Sequence, residues 1–333
     1  MQSRMFAIAA LAGIASVASA GSLTTTQNVT LWGNSYSVKS YNVAGDLGAG
    51  LQLQPESMHF YNGVLYVGGD RDAGETNGNL AAYNLGNVGA APTVRAIADA
   101  SDNGTLRKWG PEGITVNTSG SGYGSFASGG PKLVSVEGAG RRRAGVINLG
   151  SSPAPVENII GNSPDPAFQN LDDISFSSAA DIFFGIDGDG SGNTVRRLNK
   201  NTLAVESSFT LVTGGAKGMT VISAAFAQLL TGVSINTSQA LLFAQKDGTG
   251  AAGVNRLSVY DTNGNIIGSE QGFNLSGLGI SSEIEAIGVD EATGRIWVGD
   301  EAARHIHEFT IPAPGSVGLL VGGALIAGRR RRA

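Results

Sequence analysis

The sequence predicts an all-β protein: a β-propeller of five four-stranded blades, its ring closed by a strand from the N-terminus. Four observations carry this. Glycine fills 50 of 333 positions and charged residues make up only 15%. Short apolar runs are broken at close intervals by Gly, Asn, Asp and Ser, the pattern of many strands joined by tight turns. A segment also recurs, as Pro55-Glu56-Ser57-Met58-His59-Phe60, Pro111-Glu112-Gly113-Ile114-Thr115-Val116, Leu171-Asp172-Asp173-Ile174-Ser175-Phe176 and Ile284-Glu285-Ala286-Ile287-Gly288-Val289. Its leading acids are 56, 60 and 113 residues apart, the last gap being two periods of about 57. Finally, a strand-like run at 36–43 precedes Glu56 just as a fourth strand precedes each later copy.

The elements follow in order within each unit. The recurring segment is the first strand. A fifth copy is due near 225, and Lys217-Gly218-Met219-Thr220-Val221, without the acid, is the nearest match. Second strands are read at 64–67, 133–136, 182–185, 241–244 and 296–298, each leading to an acid: Asp70, Glu137, Asp187, Asp247 and Asp300. Third strands are read at 80–84, 145–149, 195–198, 256–260 and 305–309, and fourth strands at positions such as 93–98 and 205–211. The last unit runs into Pro312 before a fourth strand can form, so residues 36–43 supply it. A propeller manages its sheet edges by radial repetition, and borrowing the first strand pairs the two chain ends. A sandwich needs no such period, and a β-helix has shorter coils. Six or seven blades would fit if residues 118–130 and 224–238 held further strands; one helix is read at 224–230.

The ends read as addresses. Residues 1–20 combine Arg4, an apolar run from Met5 to Val17 and the small-residue site Ala18-Ser19-Ala20, the pattern of a secretory signal with a mature start at Gly21. Export of that kind implies the Sec translocon and signal peptidase. Residues 21–311 form the propeller domain. Residues 312–333 carry Pro312 and Pro314, an apolar segment of 14 residues, then Arg329, Arg330, Arg331 and Arg332. Fourteen residues are short for a full span, and the arginines would stay cytoplasmic. This tail resembles the PEP-CTERM sorting signals of Gram-negative bacteria, with Ala313 where those signals carry glutamate. The resemblance implies transient anchoring in the inner membrane by a transmembrane helix. It also implies recognition by an exosortase-type protease and release to the cell surface or extracellular matrix. A permanent membrane anchor is the alternative.

Composition excludes several functions. Cysteine is absent, so there is no disulfide framework, thiol catalysis or thiolate metal site. Taking the five arginines of the two ends from the 22 basic residues leaves 17 against 27 acids, a net charge of −10 for the body. That surface disfavours nucleic acid and favours cations or partners that carry them. No nucleophile elbow, Walker loop or zinc-protease helix occurs.

The candidate site follows from the repeat. First strands line a propeller's channel, so Glu56, Glu112, Asp172 and Glu285 should converge at one mouth. Converging carboxylates repel, so they bind a cation, gain donors or hold protons. An oxygen-rich ring suits Ca²⁺. The alternative is that each acid caps backbone amides or pairs with Lys or Arg. Asp187-Gly188-Asp189-Gly190-Ser191-Gly192-Asn193 matches the front half of a calcium loop, but Leu198 stands where its last ligand belongs. Asp187 and Asp189 are thus weaker metal candidates, and a hairpin turn explains them equally. His305 and His307 share a strand face, and Arg141-Arg142-Arg143 reads as a loop tip. The stretches Pro111-Glu112-Gly113-Ile114 and Arg295-Ile296-Trp297-Val298-Gly299-Asp300-Glu301 resemble the strands of phytase-like esterase and gluconolactonase-type propellers. That resemblance implies channel acids holding a divalent metal, although the families' Asn and Asp ligands have no residue-by-residue match. The functional expectation is a non-enzymatic surface or matrix scaffold presented to extracellular polymer. The alternative is a metal-dependent hydrolase of lactones, esters or phosphate esters.

Overall fold

A computed structural model describes residues 20–47, 53–69, 78–97, 100–102, 105–107, 109–125, 131–137, 143–161, 171–187, 193–246, 255–273 and 284–311. Residues 1–19 of the signal segment, the tail 312–333, Asp70, Asp189 and Asp247 lie outside the described residues.

The chain opens with a hairpin of β1 (Ser22–Leu31) and β2 (Asn34–Asn42). The first blade follows as β3 (Ser57–Tyr61), β4 (Val64–Gly69), β5 (Asn79–Asn84) and β6 (Thr93–Ala96). After a small hairpin, β7 (Ala100–Asp102) and β8 (Thr105–Arg107), the second blade holds β9 (Gly113–Thr115), β10 (Lys132–Glu137), β11 (Arg143–Asn148) and β12 (Val156–Ile160). The third holds β13 (Leu171–Ser177), β14 (Ile182–Asp187), β15 (Thr194–Leu198) and β16 (Val205–Thr210). The fourth holds β17 (Ala216–Ser223), helix α1 (Ala224–Thr231), β18 (Gln239–Gln245), β19 (Asn255–Asp261) and β20 (Gln271–Phe273). The chain then runs through β21 (Ile284–Asp290), β22 (Arg295–Asp300) and β23 (His305–Thr310).

The fifth blade has the strand order β1-β2-β23-β22-β21, so it is assembled from both ends of the chain. Ser37 to Asn42 of β2 pair antiparallel with Thr310 to His305 of β23. The ring is therefore a five-bladed propeller closed by an N-terminal strand. The closing blade has five strands where four were expected. Its extra strand β1 reads SLTTTQNVTL, too polar to show an apolar alternation, although its threonines favour extended backbone. Trp32 and Gly33, both at positive φ (46° and 78°), form a two-residue turn whose twist matches the flanking strands. The Asn62-Gly63 turn between β3 and β4 is built alike, with φ of 48° and 79°. Residues 224–238 hold α1 rather than strands. Ser223 caps α1 by accepting from Phe226 N (3.1 Å), and Phe226, Ala227 and Leu230 are buried on its inner side.

Five apolar clusters, one between each pair of neighbouring blades, complete the circle. Trp109, Ile114 and Leu133 pack on Tyr66 and Leu80 between the first and second blades. Ile174 and Phe183 pack on Val134 and Val146 between the second and third. Met219, Leu241 and Phe243 meet Phe184 and Ile186 between the third and fourth. Leu31, Tyr36, Val38 and Phe309 meet Leu242 and Val259 between the fourth and fifth. Trp297 and Ala286 meet Met58 and Leu65 where the fifth returns to the first.

The closing seam carries a proton-sensitive contact. Ser40 Oγ of β2 lies 2.7 Å from His307 Nδ1 of β23, both fully buried. Burial, with the parallel His305 ring 6.2 Å away, pulls His307 down to about 3. Nearby, Tyr83 donates to Asp46 (2.7 Å), and burial pushes Asp46 up to about 6. The signs oppose. Unfolded histidine takes a proton near pH 6.5 that folded His307 refuses, so its contribution is lost as pH falls from about 6.5 towards 3. Folded Asp46 holds its proton to higher pH than the unfolded chain, so its contribution is lost as pH rises from about 4 to about 6. In thermal melts of the unprocessed chain across this range, His307→Gln should flatten the acid-side loss and Asp46→Asn should steepen it. Parallel profiles for all three proteins would refute both assignments.

Candidate functional site at the channel mouth

Each innermost strand begins with one residue too many. In β13, Leu171 pairs with Asp187 and Asp173 with Ile186, which leaves Asp172 as the extra residue. Lys217 is the extra residue of β17, between the pairs Ala216–Gln245 and Gly218–Ala244. Glu285 is that of β21, between Ile284–Asp300 and Ala286–Gly299. In the first two blades the N–H groups of Glu56 and Glu112 reach Gly68 O and Val136 O (3.1 Å each), the carbonyls of the residues opposite Ser57 and Gly113. The two-against-one arrangement is thus repeated in all five blades. A bulge of this kind re-aims a side chain out of the alternation of its strand. It places Glu56, Glu112, Asp172, Lys217 and Glu285 at one register position around the ring.

The next residue of each strand faces its neighbouring innermost strand, where there is little room. A Cβ on Gly218 would lie 2.8 Å from Ala286 C and 2.9 Å from Glu285 O, so a larger residue would drive β17 away from β21. At the equivalent place, the buried Asp173 accepts from Met219 N (2.6 Å) and Ile174 N (2.8 Å), and also from Ile114 N. It ties β9, β13 and β17 together.

A second set of side chains follows the second strands. Gln245 and Asp300 share a register position, so Lys246 and Glu301 are equivalent too. Charge pairing then runs between blades. Lys217 Nζ lies 2.5 Å from Asp172, and Lys246 Nζ lies 2.7 Å from Glu285. Burial pulls the Lys217 ammonium down, but Asp172, Glu285 and Glu112 outweigh it and leave its pKa raised. Glu56, Glu285 and Glu301 each bring a carboxylate oxygen within 4.8 Å of the others. Hard oxygen donors so arranged suit a divalent cation of the Ca²⁺ type.

Of the four acids expected at the mouth, Glu56 and Glu285 thus stand in one group with Glu301. Asp172 is paired with Lys217, and Glu112 lies within the field of that ammonium. Lys217, Lys246 and Glu301 were not read as site residues. Lys217 was visible as the copy that lacks its acid; the other two emerge only once the second strands are in register. At the end of the second strand, beside the mouth, Asp187 is paired with Arg196 (2.5 Å). Its register partners Glu137, Gln245 and Asp300 also have polar duties: Glu137 pairs with Arg143 and accepts from Gly110 N (2.9 Å), and Gln245 donates to Thr213 O (2.7 Å). Arg143 is therefore buried, its guanidinium 5.0 Å from the centre of Trp109, and is not part of an exposed loop tip. Among the described residues, no helix is long and apolar enough to cross a membrane.

No family model matches the chain, and no curated protein matches it. Among solved structures it is similar to an auxiliary nutrient binding protein from Bacteroides ovatus, with 11% identity, coverage of 89% of this chain and 72% of the other, and a TM-score of 0.46. It is also similar to the Neurospora crassa Pan2 WD40 domain (8% identity, 88% and 90% coverage, TM-score 0.40). A third similar structure is a GH43 β-1,3-galactosidase with galactodeoxynojirimycin (12% identity, 78% and 91% coverage, TM-score 0.45).

Proposed function

We propose that this is an exported binding propeller that presents its channel mouth, without catalysis, to an extracellular polymer at the cell surface or in the matrix. The observation that carries this reading is the mixed charge of the mouth. Lys217 on Asp172 and Lys246 on Glu285 turn an acid ring into a lattice of donors and acceptors, suited to a hydroxyl-rich chain. A metal hydrolase would need those carboxylates for its ion. Export through the Sec translocon, and removal of the tail by an exosortase-type protease acting on the Pro312, Pro314 and Arg329–Arg332 pattern, belong to the same proposal. The seat of Gly21 supports processing after Ala20: Ala20 is exposed, whereas a Cβ on Gly21 would lie 2.6 Å from Val88 O and 3.4 Å from Asp46 Oδ2. A new α-ammonium there would stand close to a buried carboxylate. The second reading, a Ca²⁺-dependent hydrolase, rests on the three close carboxylates of Glu56, Glu285 and Glu301.

Calorimetric titration separates the two. The binding reading expects a soluble polysaccharide to bind wild type in the presence of chelator, with affinity reduced about tenfold or more in Lys217→Met. The hydrolase reading expects Ca²⁺ to bind wild type, Glu301→Gln to abolish that binding, and lactone or phosphate-ester turnover to depend on the ion. Failure of wild type to bind any polysaccharide of a broad panel, with or without Ca²⁺, would overturn the binding reading.

A further inference from the structure

Gly21 occupies a place that fits a charged nitrogen better than a carbon. Ala20 and Ser22 are exposed, yet Gly21 between them is buried. It lies at the closing seam, against Val43 just after β2 and Val88 in the connection from β5 to β6. A Cβ on Gly21 would lie 2.6 Å from Val88 O, 3.3 Å from Val43 Cγ1 and 3.4 Å from Asp46 Oδ2. The first distance forbids a carbon. For an ammonium it is a short charge-assisted hydrogen bond, with a carboxylate oxygen alongside. In the intact chain the Gly21 nitrogen is an uncharged amide held by its bond to Ala20. Once that bond is cut, a turn of about 120° about the Gly21 Cα–C bond carries the freed nitrogen into the Cβ position, because its N–Cα bond of about 1.46 Å nearly matches a Cα–Cβ bond.

The carboxylate beside that place is buried and short of a cation. Asp46 is 1% exposed, and Tyr83 donates to its Oδ2 (2.7 Å). Among the described residues no lysine or arginine pairs with it, and burial pushes it up to about 6. A buried carboxylate is costly unless an opposite charge joins its hydrogen bonds. We propose that cleavage after Ala20 seats the new α-ammonium of Gly21 between Val88 O and Asp46 Oδ2, a buried ion pair that latches the closing seam in the exported chain. This inference rests on the export reading above. Val88 and Tyr83 belong to the first blade, whereas Val43 and Asp46 follow β2 of the fifth, so the latch bolts together the two blades that meet where the ring closes. Val88 O excludes a terminus that carries a side chain, and a terminus one residue longer brings no charge to the seat.

The test is acylation of the α-amine of the purified exported protein at neutral pH, read by peptide mass spectrometry, with intact mass to fix the first residue. A free α-amine loses its proton near pH 7.7–8.0, and pairing with a carboxylate holds that proton to higher pH. Labelling of Gly21 should therefore be about tenfold or more slower in the folded protein than in the unfolded chain. Asp46→Asn should restore the fast rate. So should Gly21→Ala, which keeps the charge but not the fit. The exported protein should also melt about 5 °C or more above a chain that retains Ala20 as its first residue, and the Asp46→Asn background should erase that difference. A first residue other than Gly21 overturns the latch together with processing after Ala20. A chain that begins at Gly21 and is labelled at the unfolded rate overturns the latch alone. Equal protection in wild type and Asp46→Asn also overturns it, because burial without the ion pair then accounts for the slow rate.

Discussion

A chain lacking residues 28–43 is expected to lose its folded ring altogether. The deletion removes β2 and the inner end of β1, and with them Leu31, Tyr36, Val38 and Val43, all fully buried. Burying side chains of this kind contributes about 1.5–3 kcal/mol each, about 6–12 kcal/mol together. That matches the whole net stability of a typical domain, about 5–15 kcal/mol. The deletion also strips β23 of its outer partner and exposes Phe309 and Ile306, so aggregation should accompany the loss. Circular dichroism and gel filtration of the deletion variant are the measurements. A soluble monomer with an unchanged melting temperature would mean that the closing strand is dispensable.

The second large effect is expected at Asp173. Replacing it with alanine leaves the amides of Ile114, Ile174 and Met219 without the carboxylate that accepts from them. An unsatisfied buried donor costs about 1–3 kcal/mol, so Asp173→Ala should lose about 3–6 kcal/mol and melt roughly 10 °C lower. Asp173→Asn keeps one acceptor oxygen and should lose less. Burial drives the Asp173 carboxyl well above its ordinary range despite its three amide donors. The folded carboxyl therefore holds a proton that the unfolded chain releases near pH 4, and its contribution falls as pH rises beyond that value. The asparagine variant should lack that slope. Equal losses for both substitutions, with unaltered pH slopes, would show that Asp173 fills space without bridging the strands.

The ring was legible in the sequence because a propeller repeats a physical problem. Each innermost strand must begin at the mouth, bulge and pass its neighbour closely; Pro-Glu or Asp-Asp marks that place in three blades and Glu285 in the fifth. Lys217 fell at the right position for the same reason, and its missing acid was the signal that the ring is not purely anionic. Strand β1 escaped because its burial alternates but its residue types do not: Thr25, Gln27 and Val29 are half-buried between exposed neighbours, and only Val29 and the buried Leu31 of that face are apolar. The hairpin β7–β8 escaped because three-residue strands are too short to show a period. At the site, convergence of the first-strand acids could be read from register alone. Which charges meet could not, because Lys217–Asp172 and Lys246–Glu285 join side chains from different blades, and Glu301 comes close to Glu56 only when the ring has closed.

Closure by the two chain ends also has a consequence in time. Of the propeller's strands, β1 and β2 are made first, yet the partner of β2 is its last strand, with Ser40 and His307 separated by 267 residues. Blades one to four can each form from contiguous chain, whereas the fifth must wait for its final strand. A product interrupted anywhere before His305 keeps an open seam and an apolar flank. The last strand thus acts as a completeness check on the ring, and any quality-control protease that reads exposed strands would remove unfinished rings and spare closed ones.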